Sequence, residues 1–217
     1  MSTNYELRLI EDVLSNGAVL RFPADGIHRA MYVVHGRITI AGRSLAADEG
    51  FHAHGAAEIT AGNEGATVWR WELAKSDAVA PAVAMDGSST RKLTSKLAWP
   101  IADAVLMRLD SVSFPPGGCA LLHTHQGPGI RCLIDGTIRI DTHGRSTSYG
   151  PGSPWFEAGP EPVFAQAAMD RPSRFIRVMI LPAHLKGKSS IAYVNAEDRD
   201  KPKSQSYKGF VDRPIEV

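Results

Sequence analysis

The chain has 217 residues, 43% of them apolar and 22% charged, which is a globular composition and excludes bulk disorder. Lys and Arg number 24 against 23 Asp and Glu, a net charge of +1, so no basic field draws nucleic acid, and 7% aromatic residues leave little for base stacking. Two cysteines, Cys119 and Cys132, are too few for a disulfide framework and form no CxxC.

In chain order, the opening MSTNYELRLIEDVLSNG lacks a charged start followed by an apolar stretch, so no secretory leader is expected. Its residues 4–14 read as a short helix carrying charges of both signs rather than a membrane-surface helix. No window approaches 18 apolar residues, which argues against a membrane span. A cytoplasmic protein is the expectation.

From there short runs rich in β-branched and aromatic residues follow one another at residues 30–34, 37–40, 67–73, 105–109, 130–134, 137–140 and 174–180. Gly and Pro, 34 together, punctuate them, and this spacing predicts an all-β sandwich or barrel. A second helical stretch is expected at 88–98.

An internal repeat organises these runs. Tyr32-Val-Val-His-Gly36-Arg-Ile-Thr-Ile40 mirrors Cys132-Leu-Ile-Asp-Gly136-Thr-Ile-Arg-Ile140. Each copy continues through a Gly turn (Gly42, Gly144), a loop ending at Gly55 or Gly159, and a long closing strand. Two β units of about 70 to 80 residues in tandem follow from this.

In the second unit Gly117, His123-Thr-His125, Gly129 and Gly136 stand in the spacing of the first cupin motif, and the chain resembles the cupin superfamily, in particular uncharacterised bacterial two-cupin proteins. Gly129 takes the place of the family's glutamate. In the second motif Glu157-Ala-Gly159 keeps the turn glycine, Pro162 replaces the last metal histidine, and Gln166 replaces an asparagine. The resemblance implies two double-stranded β-helix jelly rolls with few short helices. The expected organisation is an N-terminal cupin with a degenerate site (1–75), a connector (76–100), a C-terminal cupin with the HxH (101–183), and a tail (184–217) that packs on a barrel or on a partner subunit.

His123 and His125, two apart on a strand, share a face and suit one divalent ion, Fe, Mn, Ni or Zn. With two usual ligands missing, Glu157 is the candidate third, giving a two-His-one-carboxylate set; the plain alternative is a carboxylate paired with an arginine. Arg131 shares the face of His125 if the strand is regular, and its partner is then a substrate carboxylate or Glu157; a register shift would put it outside. Gln126 and Gln166 are candidate cofactor-binding residues. Phe164 with Trp155 or Phe156 would form an apolar wall.

In the first unit Pro23 and Asp25 stand where His123 and His125 do. His52 and His54 are expected to face away from the barrel interior, and His28 and His35 to lie at the surface or an interface, so no second metal site is expected. Two functions fit: a metal-binding bicupin acting on a small anionic molecule by dioxygenase, isomerase or lyase chemistry, or a non-catalytic cupin binding a small molecule for sensing or storage. A homodimer is expected, because jelly-roll edges need covering.

Overall fold

The computed structural model describes residues 5–76, 86–98 and 104–217, and the chain divides into two compact units, 1–98 and 99–217. Nearly every described element is a strand.

In the N-terminal unit the strands are β1 (Tyr5–Leu14), β2 (Val19–Phe22), β3 (His28–Ile40), β4 (Arg43–Ala46), β5 (Gly50–His54), β6 (Ala57–Lys75) and β7 (Gly87–Lys96). They form one antiparallel sheet in the order β4-β3-β6-β1-β7, with β2 on β6 and β5 on β3. The long strands β3 and β6 run through both faces of the roll. The first half of β3 pairs with β5 and the second with β4, while β6 holds β2 near its start and β1 along its end.

The C-terminal unit has β8 (Ala104–Phe114), β9 (Cys119–His125), β10 (Gly129–Asp135), β11 (Ile138–Thr142), β12 (Arg145–Tyr149), β13 (Pro154–Glu157), β14 (Val163–Ala167), β15 (Ser173–Pro182), β16 (Ile191–Tyr193) and β17 (Ser206–Glu216). Two five-stranded antiparallel sheets result, β13-β10-β15-β8-β17 and β12-β11-β14-β9-β16. Apart from β16 on β9, the pairings repeat those of the first unit. β10 and β11 correspond to the two halves of β3, β14 and β15 to those of β6, and β17 to β7. Each unit is therefore a jelly roll, and the fold is all-β. Among the described residues its helical content is confined to two single 3-10 turns, Ala183–Leu185 and Ala196–Asp198.

The two glycines that anchor the repeat are sterically required. Gly36 and Gly136 have φ of 74° and 75°. A Cβ would stand 2.1 Å from the Gly65 carbonyl oxygen in one unit and 2.2 Å from that of Pro172 in the other.

Both helices expected from the sequence are strands. The described part of residues 4–14 is β1, and 88–98 lies largely in β7. In β1 the inward positions carry Arg8 and Asp12, each buried in an ion pair or hydrogen-bonded pair, so inward charges disguise a period of two. β7 pairs with β1 from Gly87 to Lys96, so that part of the expected connector is an edge strand of the first unit; residues 77–85 and 99–103 lie outside the described residues. In the tail, β16 pairs with β9 and β17 with β8 along ten register positions. It covers sheet edges of its own unit. No described helix is long and apolar enough to cross a membrane.

Inward side chains fill each roll. In the second unit Val112, Phe114, Leu133, Ile138, Trp155, Val163, Ala165 and Phe175 pack together. Phe164, expected as a wall of the site, faces outward with Gln166, because β14 turns Val163 and Ala165 inward. Phe114 and Phe175 line the cavity instead, their ring centres 6.0 Å apart, with Trp155 edge to face on Phe175 at 5.2 Å behind them.

Candidate functional site

The end of β9 turns both histidines of the HxH inward; His123 and His125 are buried and Thr124 is not. From β10 come Gly129, Arg131 and Leu133 on the same inner side, from β13 Trp155 and Glu157, from β15 Arg177, and from β8 Asp110. Cross-strand register puts Trp155, Arg131, Arg177 and Asp110 in one row across four strands, with Glu157 opposite Gly129 in the next.

His123 Nδ1 donates to the Leu121 carbonyl at 2.7 Å, which leaves its Nε2 as an acceptor. His125 Nε2 stands 3.2 Å from His123 Nε2 and 3.2 Å from Glu157 Oε2. Arg131 Nη2 is 2.7 Å from the same Glu157 oxygen as an ion pair, and Arg131 Nη1 donates to the Gly129 carbonyl at 2.7 Å. Trp155 Nε1 donates to Glu157 Oε1 at 2.8 Å. Arg177 is held by Asp110 through Nε at 2.6 Å and Nη2 at 3.1 Å.

Burial decides the charges. It pushes His123 below its ordinary value and His125 down to about 3, so both imidazoles are neutral at pH 7. Burial alone would raise the Glu157 carboxyl. The Arg131 charge, with hydrogen bonds from His125 and Trp155, overrides it and holds Glu157 ionised well below the usual carboxylate range. Arg131 is lowered by burial to about 10 and stays charged.

These groups border a cavity of about 20 Å³, room for one water or one ion but not for a substrate. The donor chemistry suits a divalent ion there: two neutral imidazole nitrogens 3.2 Å apart can each lie about 2.1 Å from a common centre. The carboxylate is one step short. Among the described residues no three His, Cys, Asp or Glu side chains are already gathered as a ligand set, and Arg131 holds the Glu157 oxygen. His125 Nδ1 is buried without a hydrogen bond. With Nε2 as a ligand, the His125 ring proton would move to that Nδ1.

The other expected residues lie elsewhere. Gln126 is exposed, and its backbone N–H donates to the Ser190 carbonyl. Gln166 is half-buried outside the cavity, and its Nε2 ties down the Gly117 and Gly118 carbonyls at 2.8 and 3.2 Å. Cys119 and Cys132 form no disulfide. Arg177, Asp110 and Tyr207 were not singled out in the sequence. The available signal was Arg177 at period two with Phe175 inside an apolar strand, a buried cation in need of a partner.

In the first unit the equivalent space is filled. Arg29, fully buried, pairs with Asp25 Oδ2 at 2.5 Å and Glu72 Oε1 at 3.0 Å, and its Nη1 donates to the Gly55 carbonyl at 3.1 Å. Arg70 joins Asp12 at 2.8 and 3.0 Å and also contacts Glu72. Both guanidiniums lie on the Phe22 ring, at 4.8 and 5.0 Å. His28, expected at the surface, is buried: its Nδ1 is 3.1 Å from His52 Nε2 and its ring stacks on His54 at 4.0 Å. Ala53, between those two histidines on β5, belongs to the inner core.

Among solved structures the chain resembles oxalate decarboxylase of Bacillus subtilis. A substitution variant of that enzyme shares 14% identity at a TM-score of 0.62, over 93% of this chain and 78% of that one. A structure concerned with its Mn(II) centres shares 14% at 0.63, and one concerned with the substrate binding mode in oxalate decarboxylase 15% at 0.62, each over 93% of this chain and 74% of the other.

The fold is that of a bicupin.

At this identity the likeness is one of fold. No protein-family model and no curated protein sequence matches the chain. The bicupin fold accounts for the repeat, and the two rolls differ in what fills them: ion pairs in the first, a histidine pair beside a small cavity in the second.

Proposed function

We propose that the C-terminal roll binds one divalent metal, from Fe, Mn, Ni and Zn, through His123, His125 and Glu157, and acts on a small anionic molecule. The observation that carries this reading is the neutral histidine pair, Nε2 to Nε2 at 3.2 Å, beside an ionised Glu157 at a cavity of ion size. The resemblance to oxalate decarboxylase, whose Mn(II) centres one of those structures concerns, supports it. A bound divalent ion supplies Lewis acidity toward an oxygen of the bound anion.

The chain's own residues set the rest. Leu121 fixes the His123 tautomer that leaves Nε2 free to ligate. Trp155 orients Glu157 through Oε1, and Arg131 keeps it ionised and is a positioning residue rather than a substrate anchor. Arg177, oriented by Asp110, gives the cavity a second fixed positive charge favouring an anion.

Metal analysis of the purified protein is the test. One equivalent of metal, lost in His123→Ala and His125→Ala and reduced in Glu157→Gln, is expected. A protein that takes up no divalent metal when offered it overturns the reading. It then favours the second one, a non-catalytic cupin that binds a small molecule. The specific observation behind that second reading is Arg131 seated on the Glu157 oxygen that a metal would need.

A further inference from the structure

Outside the His–Glu cavity the last third of the second unit builds a larger chamber of about 450 Å³, within the size range of small-molecule sites. β16 and β17 bound it, and Tyr193, Gln205 and Tyr207 stand in its wall. Ile191, Arg177 and Tyr207 line both this chamber and the inner cavity, so the two spaces share a wall.

Its charge is lopsided. Arg108 pairs with Asp212 at 2.8 Å and Arg177 with Asp110, while Lys188 adds positive charge that no carboxylate of the wall matches, and Lys203 bonds to the Asp198 carbonyl beside that residue's carboxylate. Its rings are Tyr193, with Lys203 Nζ 4.0 Å from the ring centre, and Tyr207, half exposed over Arg177 at 5.6 Å. Gln205 is 8% exposed; its Nε2 donates to Tyr207 Oη at 3.1 Å, and its Oε1 is buried with no donor. A buried acceptor left without a donor is costly, and a turn of the Gln205 side chain that brings it to a ligand hydroxyl would relieve it.

We propose that this chamber binds a small hydroxylated aromatic acid. The ring lies against Tyr193 and Tyr207, the hydroxyl donates to Gln205 Oε1, and the carboxylate lies toward Arg177 at the shared wall. The proposal rests on the metal-site reading for what that carboxylate meets beyond Tyr207. The binding itself does not depend on the metal.

The test is calorimetric titration of the full chain, metal-stripped and metal-loaded, with 4-hydroxybenzoate, benzoate and tyramine. Saturable binding of 4-hydroxybenzoate is expected in both forms, with benzoate about tenfold weaker for want of the hydroxyl and no binding of the cationic tyramine. Gln205→Leu should abolish the difference between the two acids. Lys203→Gln, at the chamber rim, should weaken both acids alike and leave their ratio unchanged.

No saturable binding of 4-hydroxybenzoate, equal affinity for all three probes, or an unchanged acid preference in Gln205→Leu overturns the proposal. If the acid binds but no metal is taken up, the metal-site reading fails alone. If metal is taken up and no acid binds, the chamber proposal fails alone.

Discussion

Arg29 and Gly129 hold the same place in the two rolls: Arg29 on β3 lies opposite Ala53 and Glu72, and Gly129 on β10 opposite Glu157 and Met179. Where the arginine stands, its guanidinium takes up the interior with Asp25 and Glu72. Where the glycine stands, the space passes to Arg131, reaching back from two residues along, and to Glu157. A Cβ on Gly129 would meet the Val178 carbonyl oxygen at 2.5 Å and Arg131 Nη1 at 3.0 Å, so the C-terminal arrangement admits nothing larger.

Arg29→Met should destabilise the N-terminal unit by about 3–5 kcal/mol, because it leaves buried Glu72 without one of its two cations and Asp25 without its partner. Urea unfolding measures it. A loss under about 1 kcal/mol, the size of a surface pair, would show that the network contributes little.

Arg131→Met and Arg131→Lys should separate charge from geometry. The methionine strands Glu157, so its carboxyl should titrate far higher and the unit should lose about 3–5 kcal/mol. The lysine keeps the charge but cannot reach both Glu157 and the Gly129 carbonyl as the guanidinium fork does, so a loss of about 1–2 kcal/mol is expected. Equal losses in the two variants would contradict this.

Metal-free protein should lose stability as pH falls below 6.5. His125 takes up its proton near 3 when folded and near 6.5 when unfolded, so between those values the unfolded chain binds a proton the folded chain refuses. Each such proton lowers stability by about 1.4 kcal/mol per pH unit, and His123, also lowered, adds in the same direction. Glu157, ionised in the fold below its ordinary value of 4.5, steepens the loss as pH drops through that value. A flat profile of unfolding midpoint between pH 7 and 5 would count against neutral buried imidazoles.

Truncation after Gln205 should destabilise the C-terminal unit and lower its solubility. It removes β17, bares the β8 edge, and takes away Ile215, which is 4% exposed. Thermal unfolding and light scattering of the truncated chain are the measurements. Unchanged melting with no association would show that the tail only decorates the roll.

The repeat around Gly36 and Gly136 was legible because positive φ and close backbone approach leave no other residue possible there. That His123 and His125 share one face followed from strand alternation. Period two put Arg131 on their face only for a regular strand, and left open both a register shift that would turn it outward and whether a substrate carboxylate or Glu157 would meet it. β1 has a helix-like sequence because its inward positions hold Arg8 and Asp12, whose partners Glu6 and Arg70 include one 58 residues away. The reading of Phe164 as a wall failed on one register step in β14.

By itself the sequence determined the strand alternation, the turn glycines and the two-unit repeat, since each depends on steric and hydrophobic rules that act within a few residues. Only the tertiary structure decided which charges meet inside each roll. Asp110 reaches Arg177 across 67 residues and Arg29 reaches Glu72 across 43, and such partners are chosen by cross-strand register, which no local spacing encodes.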